Sequence, residues 1–296
     1  VSFNRHYTGS LACVPSRPTL FTGQFPDVHG VTQTDGLGKD AYDTRMRWLP
    51  PREVPTLGHW FRAAGYDTHY DGKWHISHAD LIDESTGQPL ATNTSDGTII
   101  QDAVEQYLEV NPLNEYGFSG WVGPEPHGGL LGNSGIIRDP LIAERTVNWL
   151  EDRYRRRNQG DSDALKPFLL VVSFVNPHDI VLLPLYMRRP ENNPYLPCDL
   201  DPPEIPIPPT RYEDLSSKPA AQVAYKHSYY SGYGIQRAVQ RIYENNEQEY
   251  RNLYYRMHLE VDNPLDMVRK AVTDDTSREK IIFRTSDHGD LLGAHG

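Results

Sequence analysis

The stretch PFLLVVSFVNPHD, Pro167 to Asp179, restricts the fold of this 296-residue chain more than any other. Its first nine residues are almost unbroken apolar, β-favouring side chains. A strand with one wet face alternates apolar and polar residues. A continuous run reads as a strand covered on both faces, the situation of a parallel sheet packed between helices. The segment before it, RDPLIAERTVNWLEDRYRRR, places Leu141, Val147, Leu150 and Tyr154 near helical spacing. Asp139 is positioned to cap that helix and Pro140 to occupy its first turn.

The same alternation recurs elsewhere. In VPTLGHWFRAAGYDTHYDGKWH, Thr56 reads as an N-cap, Leu57, Trp60 and Phe61 as an apolar stripe, and Gly65 as a stop. Tyr66–Tyr70 then has a weak strand pattern and delivers Lys73 and His75 at its end. EKIIFRTSDHGD gives a third strand, Ile281–Phe283, again running into a polar loop. Residues 220–272 read as mostly helical. Pro184 to Pro219 is too rich in proline for core and reads as a surface excursion near a site. Helices alternating with buried strands predict an α/β layered fold. In such folds, sites form where loops leave the carboxyl ends of the strands. Three polar clusters stand at such ends: Lys73/His75, His178/Asp179 and Asp287/His288.

Composition narrows the function. The formal net charge of -11 opposes nonspecific nucleic-acid binding, which needs clustered Lys and Arg. The one basic run, Arg153–Asn158, reads as a solvated helix end. No apolar run reaches the roughly 20 residues that span a bilayer, so no membrane span is expected. Two cysteines, Cys13 and Cys198, make no disulfide framework.

Taken one at a time, the polar clusters stay ambiguous. Asp287, His288, Asp290 and His295 could hold a divalent cation or form a polar turn. Lys73 and His75, two apart on an extended segment, share a face and could bind an anion, or could be a solvated Lys and a packed His. His178 could be a general acid or a structural His. Cys13 could be a nucleophile or a buried small hydrophobe. Pro18–Thr22 can open a short helix ended by Gly23, which would set Cys13 near a helix N-terminus favourable to anions, with Arg17 close by.

Together the clusters match a known pattern. CVPSRPTLFTG (Cys13–Gly23) resembles the Cys-x-Pro-Ser-Arg signature of type I, formylglycine-dependent sulfatases, in the alkaline-phosphatase-like superfamily. GYDTHYDGKWH resembles the family's second motif, NPHD its third polar loop, and TSDHGDLLGAHG its metal loop. All four occur in the family's order. The resemblance implies an alkaline-phosphatase-like layered fold, its central, mostly parallel sheet flanked by helices, and hydrolysis of an organic sulfate ester. It implies that a formylglycine-generating enzyme oxidises Cys13 to an aldehyde, 3-oxoalanine, whose hydrate attacks sulfur. Carried over residue by residue, Arg17 and His75 hold and activate that group. Lys73 bridges nucleophile and sulfate, and His178 binds sulfate or protonates the leaving oxygen. Asp287 and His288 are ligands of Ca²⁺ or Mg²⁺.

Departures set further expectations. The family's metal site also uses two adjacent Asp residues upstream of the Cys motif, and none of the twelve residues before Cys13 is acidic. Asp274-Asp275 lies where the family has a polar turn and reads as structural. A sulfate-contacting Lys normally follows the metal loop. Residues 1–296 are therefore expected to be a sulfatase catalytic domain truncated at both ends, lacking the small C-terminal domain and binding metal weakly. Two alternatives stay open: a phosphonate or phosphodiester hydrolase of the same superfamily, and a non-catalytic relative that binds anions or sulfated glycans. The leaving alcohol and the compartment are not specified. Ile76–Gly129 and Pro184–Pro219 are expected to set the alcohol, with Trp121, Tyr186 and Tyr195 as possible stacking platforms.

Overall fold

The computed structural model describes residues 2–36, 39–127, 129–195, 204–232 and 236–295. Cys198 lies outside the described residues. The chain divides into two compact units, one of Val1–Val175 with Val261–Gly289, the other of Asn176–Glu260 with Asp290–Gly296.

In the first unit, α1 (Cys13–Thr22) opens at Cys13 itself, after an extended Ala12. Pro18 therefore sits inside the helix and does not begin it. Gly23, at φ 72°, ends it by donating its N–H to the Thr19 carbonyl. A single turn, α2 (Pro26–His29), follows. The next helix, α3 (Leu57–Ala63), starts after Thr56, whose backbone N–H donates to His59 Nδ1 at 3.1 Å. Trp60 is 62% exposed, against the expected stripe. The reason is at Gly58, where a Cβ would come within 2.4 Å of the Gly117 carbonyl oxygen. Backbone packs on backbone there, and that contact turns Trp60, about 200° around the helix, to solvent.

Strand β1 (Asp67–Gly72) follows, then a small hairpin of β2 (Ile82–Asp83) and β3 (Gln88–Pro89), and α4 (Gln101–Val110). The long helix α5 (Gly135–Asn158) begins one turn earlier than expected, after Ser134. Asp139 does not cap it. Asp139 is buried and its carboxylate accepts the Val175 N–H at 2.6 Å, pinning the exit of the last strand, β4 (Phe168–Ser173). The basic helix end is wired to acids: Arg153 to Asp67, Arg155 to Asp152, Arg156 to Asp161 and Arg157 to Asp275. Asp275 also takes Lys280, in keeping with a structural turn.

β1 and β4 pair in parallel from Asp67↔Phe168 to Gly72↔Ser173, which makes this an α/β fold with a parallel sheet. Burial reverses the expectation. The polar strand β1 is buried from Thr68 to Gly72, whereas the apolar β4 is half-buried along its length. β1 has backbone partners on both sides, since Tyr70 N–H also donates to the Ser119 carbonyl and Ser119 N–H to that of Thr68. Its polar side chains are matched in turn: Thr68 with Arg62, Asp71 with Arg145, and His69 stacked on Trp149. Gly72, at φ 91°, lets the strands close, because a Cβ there would lie 2.1 Å from the Ser173 oxygen. The core gathers Val14, Phe21, Leu49, Tyr70, Trp74, Phe118 and Trp121.

The expected third strand does not form. Ile281, Ile282 and Phe283 are 83%, 54% and 79% exposed and carry no strand pairing.

The second unit holds a 3₁₀ turn over His178–Leu182, α6 (Leu183–Arg188), α7 (Ala220–Gly232), α8 (Gln236–Asn245) and the first part of α9 (Glu247–Asp274). The helical reading of 220–272 holds. In Pro184–Pro219, of which residues 196–203 lie outside the described residues, most described residues are exposed or half-buried, as a surface excursion requires, but Tyr186 and Tyr195 are buried, and Tyr195 Oη donates to Asp179 at 2.6 Å. Trp121, in the first unit, is also fully buried, with its indole N–H on the Gly72 carbonyl. None of these three rings is placed as a surface platform. Among the described residues no helix is long and apolar enough to cross a membrane.

Candidate active site

Arg17 is the hub. It lies one turn into α1, is 6% exposed, and sends its guanidinium across to the ends of both strands. Its Nε donates to the Trp74 carbonyl at 2.6 Å. One terminal nitrogen reaches the Lys73 carbonyl, Tyr70 Oη at 2.9 Å and Ser173 Oγ at 2.8 Å. The other meets Asp287 Oδ2 at 3.2 Å. Only a planar, multidonor cation can satisfy so many acceptors at once. Burial by itself would lower the Arg17 pKa, but Tyr70, Asp287 and Glu125 hold it above its ordinary value.

Cys13, the first residue of α1, has a free thiol, and its Sγ stands 2.9 Å from His288 Nε2. The Asp287-His288 loop is tied to the start of the chain. Thr8 Oγ1 and Ser16 Oγ both donate to the Asp287 carbonyl, at 2.8 and 2.5 Å. Burial would raise the Asp287 carboxyl, yet Arg17, His288 and Lys73 bring it down to about 2. Burial likewise opposes the charged form of His288, but the Cys13 sulfur and then Asp287 lift it to about 9. Cys13, Asp287 and His288 offer three ligand atoms within 4.8 Å of one another.

Lys73 and His75 leave β1 as expected but not along an extended segment, since His75 sits at φ 51°. That backbone is held by a residue the sequence reading overlooked. The Glu125 carboxylate accepts the Trp74 N–H at 3.1 Å and the His75 N–H at 2.9 Å. Burial raises the Glu125 carboxyl to about 7 despite Lys73 nearby. Its one sequence signal is an acid locked between Pro124 and Pro126 in an otherwise uncharged stretch. Lys73 is 3% exposed, and its ammonium finds no hydrogen-bond partner among the described residues. His75 Nε2 is 3.0 Å from Asp35 Oδ1, another contact that the reading of the sequence missed.

Cys13, Arg17, Lys73, His75, Asp287 and His288 thus all belong to the first unit. His178 opens the second unit, on its 3₁₀ turn beside the buried Asp179.

The sulfatase family model matches residues 1–296. The chain belongs to the sulfatase family. It is 26% identical over 301 residues to YidJ of Escherichia coli (strain K12), named an uncharacterized sulfatase, covering all of this chain and 51% of that one. It is 24% identical over 299 residues to a choline-sulfatase of Rhizobium meliloti (strain 1021), covering 99% and 51%. Against arylsulfatase K of Danio rerio the identity is 26% over 305 residues, covering 99% and 48%. The chain therefore spans about half the length of these curated relatives.

The donors of this site fit the family's cofactors unevenly. Cys13, at a helix N-terminus and among cations, suits a side chain bearing oxygen and developing negative charge. For Ca²⁺ or Mg²⁺, Asp287 and His288 supply one carboxylate and one imidazole, and a hard cation takes six or more oxygens. The residues grouped here amount to part of such a site.

Proposed function

We propose that the protein hydrolyses an organic sulfate ester, with Cys13, matured to formylglycine, as the nucleophilic residue. The observation that carries this reading is the Lys73 ammonium, buried and without a hydrogen-bond partner among the described residues, in a site where Arg17 is fully engaged. Burying an ammonium whose N–H donors are unmet is costly. A sulfate group supplies the missing acceptors and adds to the negative charge that Asp287 already places near Lys73. When formed, the aldehyde hydrate supplies one oxygen to attack sulfur and a second hydroxyl whose loss of a proton expels sulfate.

The chain's own residues then have defined work. Arg17 fixes the start of α1 to the Lys73–Trp74 backbone and keeps Asp287 ionised. Lys73 binds the sulfuryl oxygens as charge develops on them. His75 orients or deprotonates the nucleophile, its ring steadied by Asp35. His178 protonates the leaving alcohol oxygen or binds sulfate. Asp287 and His288 would serve as two ligands of the divalent cation. Maturation requires a formylglycine-generating enzyme that reads Cys13-x-Pro15-x-Arg17, and the chain corresponds to the catalytic part of a longer sulfatase.

The test is mass spectrometry of the peptide ending at Arg17, from a host that demonstrably matures another sulfatase. Replacement of CH₂–SH by CHO is expected, and Cys13→Ala is expected to abolish aryl sulfate turnover. An unmodified Cys13 peptide, or turnover surviving in Cys13→Ala, overturns the reading. Parallel assays on an aryl phosphonate separate sulfatase from phosphonate hydrolase.

A further inference from the structure

We propose that Asp35, His75 and His127 form a second metal site, selective for a borderline transition ion such as Zn²⁺ over Ca²⁺ or Mg²⁺. One ligand atom from each of the three lies within 4.8 Å of the other two. Asp35 Oδ1 and His75 Nε2 are already 3.0 Å apart, and the rings of His75 and His127 are 4.7 Å apart and edge-on. Ligands about 2.0–2.1 Å from a tetrahedral ion stand roughly 3.3 Å from one another, close to the 3.0 Å between Asp35 and His75, and the three ligand atoms already lie within 4.8 Å.

Chemistry sets the ion. Two imidazoles and one carboxylate form a nitrogen-rich set that suits zinc, copper or nickel and offers too few oxygens to a hard cation. Three protein ligands with a fourth position open to water is the usual arrangement of an accessible zinc site.

The fold prepares two of the three ligands. His75 is buried, with its backbone N–H held by Glu125 and its ring against Trp48 at 5.7 Å. The Asp35 carboxylate is 12% exposed. His127 is exposed and leaves the ion a route from solvent. Because His75 belongs to both sites, zinc bound here would withdraw its ring from the sulfate site and inhibit turnover. That consequence rests on the sulfatase reading, whereas binding does not.

Binding is therefore the deciding measurement. Cys13→Ser protein removes the sulfur that makes Cys13, Asp287 and His288 attractive to zinc. In that background, Zn²⁺ is titrated at neutral pH in competition with a chromophoric chelator, with and without excess Ca²⁺. One equivalent should bind, unaffected by Ca²⁺. His127→Ala and Asp35→Asn should each weaken it at least about tenfold. His127 is exposed, so its replacement leaves the core intact. Zinc binding that survives His127→Ala undiminished, that is displaced by Ca²⁺, or that is absent from the parent protein overturns the proposal. Absence of zinc binding from the Cys13→Ser protein, with sulfatase turnover intact in the protein that keeps Cys13, would sink this site and leave the sulfatase reading standing.

Discussion

Two apolar, β-favouring runs in this chain, Phe168–Ser173 and Ile281–Phe283, look alike and end differently. The first is a strand in register with β1, with Leu169 and Val171 against the core. The second is exposed and unpaired, although its loop carries Asp287 and His288. An apolar run becomes a strand only when another backbone meets its N–H and C=O groups. β1 does this for β4. Among the described residues nothing does it for Ile281–Phe283. The loops they serve are braced differently too. At the β1–β4 end, Arg17 and Glu125 tie down the Lys73–His75 backbone. Asp287 and His288 are held by side chains from the start of the chain.

Hydrogen exchange gives the largest expected contrast. Amides of β4 should be protected roughly 10³-fold or more beyond those of Ile281–Phe283, because their opening needs the sheet to separate. Equal exchange in the two runs would erase the distinction.

Next is Glu125→Ala, which leaves two buried N–H groups, of Trp74 and His75, without their acceptor. A loss of about 4 kcal/mol in denaturant unfolding is expected. Glu125→Gln, which keeps an acceptor oxygen, should recover much of it. If both variants match the parent, Glu125 is not the brace.

A titration on β1 sharpens the same contrast. Burial against Trp149 lowers the His69 pKa from its ordinary 6.5 to about 4. The folded state therefore holds His69 neutral. Its contribution is complete above pH 6.5 and is lost as pH falls from 6.5 toward 4, by about 3 kcal/mol in all. Stability measured across that range should fall less steeply in His69→Phe. Parallel pH curves for parent and variant would contradict this.

The smallest effects come from the runs themselves. Val171→Ala should cost about 1 kcal/mol, since the side chain is half-buried against core. Phe283→Ala should stay within about 0.5 kcal/mol, its ring being exposed. A larger loss at Phe283 would mean that its ring is buried in solution.

Much of this protein can be read from residue order. The α/β class follows from a helical period giving way to an apolar run. The family follows from four motifs whose side chains, spaced along the chain, leave little other common use. Local rules also placed the end of α1 at Gly23, the helix after Thr56 and the stop at Gly65, because caps and turns act over a few residues, but they began α1 at Pro18 and not at Cys13. Where local rules failed, the deciding partner was remote in sequence. Asp139 looked like a helix cap and instead holds Val175. Trp121, Tyr186 and Tyr195 looked like platforms and are core. Asp35 carried no pattern and Glu125 only its place between two prolines, yet they set the ring and backbone of His75 from 40 and 50 residues away. Strand pairing and the burial of a charge depend on which distant backbone and which counter-charge the fold delivers, and a one-dimensional pattern does not contain that information. Side-chain chemistry and local spacing determined what this site is made of. Tertiary contact alone decided which apolar run became a strand and which acid faced which histidine.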